Sequence, residues 1–350
     1  MQYASDNTGP VHPKVMEALA RANEGYTASY GADPLMEIVR TQIREIFEAP
    51  EAAVYLVATG TAANALALAC LAEPWQTVFC SDVAHIHEDE CGAPEFFTAG
   101  SKLTLVPSDQ GLMSASDLRA TIAAVGAGGV HGVQRGPISI TQGSERGTAY
   151  TLDQIWALCD VARDLDLPVH LDGARFANAL VALGCSPAEM TWKAGVDAVS
   201  FGGTKNGLMG VEAVVLFDPA RAWEFELRRK RAGHLFSKHR YLSAQMAAYL
   251  EDGLWLDMAR DANAASAALA EGLEATGHVR LHHRPVINTL YADWPRHLHQ
   301  RLHQAGAAYY ITEGELAGGD LEERLSARLV CDWSATPEAR SEFLGFFAGD

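Results

Sequence analysis

Three short segments carry the side chains best suited to chemistry. The first is Gly202-Gly203-Thr204-Lys205-Asn206-Gly207. A lysine set among glycines sits on irregular backbone, and its stem can reach into a cleft. Lysine is costly to bury, and a buried amine gives up its proton more readily, which suits a Schiff-base nucleophile. The same residues also fit a surface loop. The second segment is His170-Leu171-Asp172-Gly173-Ala174-Arg175. There Asp172 is suited either to pairing with a protonated ring nitrogen or to capping the helix that follows. The third is Thr59-Gly60-Thr61. At a helix start, its free N–H groups and the helix dipole favour an anion such as phosphate. An ordinary strand-to-helix turn with a threonine cap would have the same sequence. The order of the three is informative. An anion turn, an aspartate and a lysine fit one ligand with an anionic arm, a basic ring nitrogen and an aldehyde. Pyridoxal 5'-phosphate (PLP) has these groups.

Each segment should follow a strand, because sheets of alternating strands and helices bind ligands at the carboxyl ends of their strands. Ala53-Val54-Tyr55-Leu56-Val57 reads as a buried strand leading into the Ala/Leu-rich helix Ala62 to Ala72. Thr77 to Cys80, Lys102 to Val106, Ile138 to Thr141, Pro168 to Leu171 and Ala198 to Phe201 are further strands. Leu152 to Leu165 has helical spacing, with Thr151 as its cap. This alternation predicts an α/β fold with a mainly parallel sheet covered by helices. The pattern changes after about residue 220. Ala222 to Leu254 reads as one long helix and Asp257 to Glu274 as another, followed by strands Asn288 to Ala292 and Arg328 to Cys331. The expected division is a large PLP-binding domain, 1–225, and a smaller α+β domain, 226–350. The boundary is soft, and the arm 1–14 is able to reach the site.

The chain has 350 residues, 48% apolar and 20% charged, enough to bury a large core. Its formal net charge of -17 disfavours nucleic-acid and acidic-membrane partners. The one dense basic run is Arg228-Arg229-Lys230-Arg231, either a solvated helix face or a local basic patch. Six scattered cysteines without a CxxC pair indicate neither a disulfide framework nor zinc. His85 and His87, with Glu88, Asp89 and Glu90 behind them, could begin a metal site but lack a third-ligand pattern. They read instead as a solvated acidic turn or an interface segment, and no metal is expected. With no apolar run of spanning length and no signal-like start, a cytoplasmic enzyme is expected.

Along nearly its whole length the chain resembles the L-threonine aldolases, PLP enzymes of the aspartate-aminotransferase fold type (fold type I). The resemblance is carried by Ser5-Asp6-Asn7, Tyr30-Gly31-Ala32-Asp33-Pro34, Thr59-Gly60-Thr61-Ala62-Ala63-Asn64, Ala84-His85-Ile86 and Arg328-Leu329-Val330. The most specific match is His170 to Arg175, followed by Asn178-Ala179. The resemblance implies that Gly60 and Thr61 hold the phosphate and His85 covers one ring face. It places Asp172 on the pyridine nitrogen, Arg175 near the ring hydroxyl and substrate carboxylate, and Lys205 in the Schiff base. It gives Ser5 and Arg328 the substrate carboxylate. It also implies self-association as a dimer or a homotetramer (a dimer of dimers), with Tyr30 and Lys238 as candidates for reaching a neighbour's site.

Two departures stand out. The family's Leu-Ser-Lys-Gly is Gly203-Thr204-Lys205-Asn206-Gly207 here, and its Glu-Asn-Thr-His is replaced by Thr141-Gln142-Gly143-Ser144. Ser144 therefore stands where the family has a histidine near the substrate hydroxyl. The chain looks like a low-specificity or phenylserine-type branch. The expected reaction is reversible cleavage of a β-hydroxy-α-amino acid such as L-threonine or L-allo-threonine to glycine and an aldehyde. His85 or an ordered water is the expected base. A β-eliminating lyase or an aminotransferase would use the same lysine and aspartate.

Overall fold

The computed structural model describes residues 1–126 and 128–348. Its strands, numbered along the chain, begin with β1 (Ala53–Val57), β2 (Gln76–Ser81) and β3 (Lys102–Val106). A short ribbon of β4 (Ser108–Asp109) and β5 (Leu112–Met113) follows, then β6 (Gln134–Thr141), β7 (Val169–Gly173), β8 (Ala198–Gly202) and β9 (Glu212–Leu216). The last four are β10 (Arg280–Leu281), β11 (Thr289–Pro295), β12 (Tyr310–Glu313) and β13 (Arg324–Val330).

The main sheet has seven strands in the order β1-β9-β8-β7-β6-β2-β3. From β8 to β3 every pairing is parallel. The strand β9 runs against both its neighbours, β1 and β8. Strands β1, β7, β8 and β9 are buried along their whole length. That is the signature of a sheet covered on both faces, and it explains why these strands read as continuous apolar runs. The sequence reading missed β9. Its segment opens with a charged residue, Glu212, and follows the irregular Lys205 turn.

The helix Leu152–Asp164 is capped as expected: the Thr151 hydroxyl accepts from the Gln154 N–H, and the Gln154 side-chain oxygen accepts from the Thr151 N–H. The single long helix expected from residue 222 is two helices, Ala222–Arg231 and Arg240–Leu250. Between them Gly233 takes φ +78°, a left-handed conformation that ends a right-handed helix. A second break at Asp252 and Gly253, both at positive φ, separates the next helix, Leu254–Ala275. The basic run is not a uniformly solvated face. Arg229 is buried, stacks 4.9 Å over the Tyr55 ring and pairs with Glu226.

A second sheet, β10-β11-β13-β12, is antiparallel throughout. The largest apolar cluster joins the main sheet to the helix Arg240–Leu250 through Leu242, Met246 and Tyr249. Another surrounds the second sheet and takes in Tyr3 from the start of the chain. Tyr3 donates its N–H to Ala308 and accepts from Val330, so the N-terminal arm is pinned beside β13. No described helix is long and apolar enough to cross a membrane.

Candidate active site

The parallel strands end at one edge, and the three segments singled out from the sequence meet there. Thr59, Gly60, Thr61, Asp172 and Lys205 line a single cleft of about 350 Å³, together with His85. Topology brings them together. β1, β7 and β8 point the same way, so the residues that follow them share one rim.

Thr59 is extended, with φ -141° and ψ 150°, and caps the buried helix Gly60–Leu71. Its hydroxyl accepts from Ala62 N–H at 3.2 Å and its carbonyl from Ala63 N–H at 3.1 Å. The two N–H groups before these, of Gly60 and Thr61, have no intrahelical acceptor and are left for an anion. A Cβ at Gly60 would meet nothing within 4 Å, so that side of the turn is open to a ligand. The cap and the anion turn are therefore the same feature.

Asp172 is buried at the end of β7. One carboxylate oxygen accepts from Ala174 N–H at 3.0 Å and the other from Asn64 Nδ2 at 2.9 Å. The Asn64 amide also donates to Glu90 Oε1 at 2.9 Å, and that oxygen lies 2.8 Å from His85 Nδ1. Asp172, Asn64, Glu90 and His85 thus form one hydrogen-bonded chain along the floor of the cleft. The hydrogen bond to Glu90 raises the His85 imidazole above its usual range, against the opposing effect of burial. Burial also raises Glu90, against its bonds to His85 and Asn64. The Glu90 side chain is fully enclosed, and its ion-pair contact is with His85. His87, Glu88 and Asp89 are exposed, as expected of a solvated turn, but Glu90 is not. Nothing in the sequence separates it from its acidic neighbours. Asn64 did leave a signal: it is a polar residue in an apolar helix, four positions after Gly60 and so on the same face.

Lys205 lies in a 3₁₀ turn, Thr204–Asn206, directly after β8. The turn is tied down from below. Asn206 Nδ2 donates to the Tyr249 hydroxyl and to the Trp255 carbonyl, each at 2.8 Å, while Tyr249 donates to the Gly202 carbonyl at 3.1 Å. Gly207 ends the turn at φ +90°, where a Cβ would strike Met258 and Trp333. The glycines therefore serve close packing, and the loop is not a loose surface one.

Arg175 is buried and grips Asp6, with Nε to Oδ2 at 2.8 Å and Nη2 to Oδ1 at 3.1 Å. Asn288 donates to the same carboxylate at 3.0 Å. Burial works to raise the Asp6 carboxyl, but the Arg175 and Lys205 charges and these bonds together hold it below the usual range. This pair draws the arm into the site, and Asn7 lines the Lys205 cleft. Ser5 caps the turn that follows it, accepting from Asn7 N–H at 3.1 Å. Arg328 donates to the Ala4 carbonyl at 3.1 Å and lies 5.1 Å over the Tyr310 ring. Its Nε is buried without a partner.

Ser5, Arg175 and Arg328 flank the cleft without lining it, and the remaining candidates stand elsewhere. Tyr30 is half exposed, and its N–H donates to the carbonyl of Ser237, next to the exposed Lys238. Neither lines the cleft of its own chain. Ser144 lies 2.6 Å from the Thr148 hydroxyl, accepts from Arg146 N–H at 3.2 Å and donates to the Gln110 carbonyl at 3.3 Å. Among the described residues no group of three His, Cys, Asp or Glu side chains is placed to hold a metal ion.

The model of the Beta-eliminating lyase family matches residues 2–293. The chain belongs to that family. Within it, the chain is 38% identical over 337 residues to a protein named low specificity L-threonine aldolase from Pseudomonas aeruginosa, covering 96% of this chain and 94% of that one. The structure of a Leishmania major threonine aldolase superposes with a TM-score of 0.92 at 26% identity, covering 99% and 98% of the two chains. A Sphingomonas wittichii serine palmitoyltransferase, at 15% identity and a TM-score of 0.69 over 99% of this chain and 86% of its own, shares the fold. Both the family and its structural neighbours are PLP-dependent, and the fold is type I.

Proposed function

We propose that this chain is a PLP-dependent aldolase that reversibly cleaves L-threonine, L-allo-threonine or a related β-hydroxy-α-amino acid, such as phenylserine, to glycine and an aldehyde. The carrying observation is that Lys205, Asp172 and the helix start at Gly60 converge on one cleft. The match to low specificity L-threonine aldolase over nearly the full length supports the reaction type.

The residues present fit the cofactor. Gly60 and Thr61 supply N–H donors for its phosphate, and the space beside Gly60 is open. Asp172 is a buried carboxylate suited to a protonated ring nitrogen, because a nearby negative charge favours the charged form. Lys205 is the amine for its aldehyde. When bound, PLP supplies an electron sink for the pair released as the Cα–Cβ bond breaks.

The protein's own part is orientation and proton handling. Arg328, with its unpartnered buried Nε, and Ser5 beside it hold the substrate carboxylate. Arg175 uses two donors on Asp6, and the rest of its guanidinium is assigned to the ring hydroxyl and the substrate carboxylate. His85 covers one face of the ring and removes the β-hydroxyl proton, with Glu90 fixing the imidazole through Nδ1. Ser144 Oγ is engaged with the Thr148 hydroxyl and the Gln110 carbonyl, which supports His85, or a water it holds, as the base.

Self-association completes the reading, as a dimer or homotetramer in which Tyr30 and Lys238 reach a neighbour's site. Their exposure side by side supports it. The unpaired cysteines support a cytoplasmic setting.

The test is product analysis with threonine, allo-threonine, phenylserine and 3-hydroxyaspartate in L and D forms. Glycine with an aldehyde is the expected outcome. A keto acid from elimination or transamination would sink the proposal. Lys205→Ala should abolish turnover and the borohydride-fixed cofactor adduct.

A further inference from the structure

One buried acid in the cleft has no part in the reaction described so far. Glu212 is 6% exposed and opens β9. Because β9 runs against its neighbours, its first residue lies at the carboxyl ends of theirs. The register is explicit: Glu212 stands opposite Val57 of β1 and opposite Gly202 of β8. Val57 leads into the anion turn at Gly60, and Gly202 leads into the Lys205 turn. A carboxylate at this junction is costly to bury unless it has partners.

Its partners are the lysine turn itself. Glu212 Oε2 accepts from the Gly203 N–H at 2.6 Å, and the polar groups of Thr204 face the same carboxylate and favour its charge. Thr204 in turn accepts from the Val211 N–H at 3.2 Å, so the residue before Glu212 and the residue before Lys205 are linked directly. Gly203 must be glycine for this closure, since a Cβ there would meet the Val211 carbonyl at 2.7 Å. The titratable groups set against Glu212 are Lys205 from the turn and Tyr249 from the helix Arg240–Leu250. Burial pushes the Glu212 carboxyl up to about 7, against the opposing hydrogen bonds and the Lys205 charge.

We propose that Glu212 is a positioning residue for Lys205: its carboxylate clamps the backbone that carries the lysine and serves as counter-charge to the Lys205 amine. This rests on the assignment of Lys205 as the cofactor lysine. Ionised, Glu212 holds the turn with charge-assisted hydrogen bonds, roughly twice as strong as neutral ones. Protonated, it keeps the shape of the clamp but gives the lysine no counter-charge. Retention of PLP at Lys205 should therefore depend on the charge of Glu212, and not only on its shape.

The experiment compares the PLP-loaded wild type with Glu212→Gln and Glu212→Asp from pH 6 to 9. It measures PLP retention on dialysis and the pH dependence of the bound cofactor's visible absorbance. Peptide mass spectrometry after borohydride reduction reports whether PLP is on Lys205. The Gln variant should lose PLP about tenfold more readily than the wild type above pH 7. Its spectrum should also lack the change near neutrality expected of the wild type. The Asp variant, which keeps the charge with a shorter reach, should restore the spectral change with intermediate retention. Retention and spectra that match the wild type in the Gln variant overturn the proposal. If the Gln variant does not fold, the Asp variant decides. Weakened retention with a pH-dependent spectrum supports the clamp, and wild-type behaviour in both overturns it. A wild type with no reduced cofactor at Lys205 refutes the parent assignment instead, and mass spectrometry separates the two failures.

Discussion

Glu90→Gln tests whether the buried pair behind the cofactor face sets the basicity of His85. Glutamine is close in shape, and its amide oxygen can still accept from Asn64 or His85. It cannot offer a full negative charge to Nδ1, now 2.8 Å from Glu90 Oε1. A hydrogen bond to a charged group contributes about 1.5–3 kcal/mol, against about 0.5–1.5 for a neutral one. The loss is therefore about 1–2 kcal/mol of bias toward protonated imidazole, or roughly 5- to 30-fold in basicity. Because the bond to Glu90 is the main cause that raises His85, its titration must move to lower pH in the variant. The activity limb that reports deprotonated His85 then shifts toward acid, while the plateau above it falls because a weaker base removes the β-hydroxyl proton. Two measurements check this: NMR titration of the His85 ring in the PLP-loaded protein, and kcat/KM for aldehyde release against pH. A His85 midpoint that stays in place would refute the reasoning, whatever happened to the rate.

Other outcomes follow from the same contacts. Asp6→Ala leaves Arg175 buried without its partner and should cost about 3–5 kcal/mol in denaturant unfolding. Since Asp6 titrates lower folded than unfolded, its stabilisation is present above its ordinary value of 3.8 and is lost as pH falls through the folded value. The gap between wild type and Asp6→Asn should accordingly narrow below about pH 4, and a constant gap would contradict the assignment. Phe201→Ala removes a fully buried ring packed 5.4 Å from both Phe176 and Trp255, and should destabilise by about 3–5 kcal/mol in urea. Gly147→Ala puts a Cβ 2.2 Å from the Thr289 carbonyl at φ +79°, and should lower stability by about 1–3 kcal/mol, read as the unfolding midpoint.

Much of the site could be read from the sequence because strand-end chemistry is local. Each of Gly60, Asp172 and Lys205 directly follows or ends an apolar run, and those runs are the buried strands β1, β7 and β8. The cap at Thr59 and the capping box at Thr151 are set by neighbours within three residues, so their residue types suffice to place them. Helix breaks were harder to see. The stretch 222–254 keeps helical composition, and only the backbone at Gly233 and Asp252 reveals the two interruptions.

The sequence by itself determined the alternation that makes a parallel sheet, the three segments at its edge and their order along the chain. Tertiary structure alone decided which distant acids serve them. Glu90 joins His85 and Asn64 because a short turn folds its carboxyl inward while Glu88 and Asp89 stay in solvent. Asp6 reaches Arg175 across 169 residues because the N-terminal arm is bonded to Ala308 and Val330. Glu212 reaches the Gly203 N–H of the lysine turn because β9 runs backwards, a direction that its residues do not encode. Patterning records which side chains must be buried, whereas the pairing of two buried charges depends on where separate strands and arms come to rest.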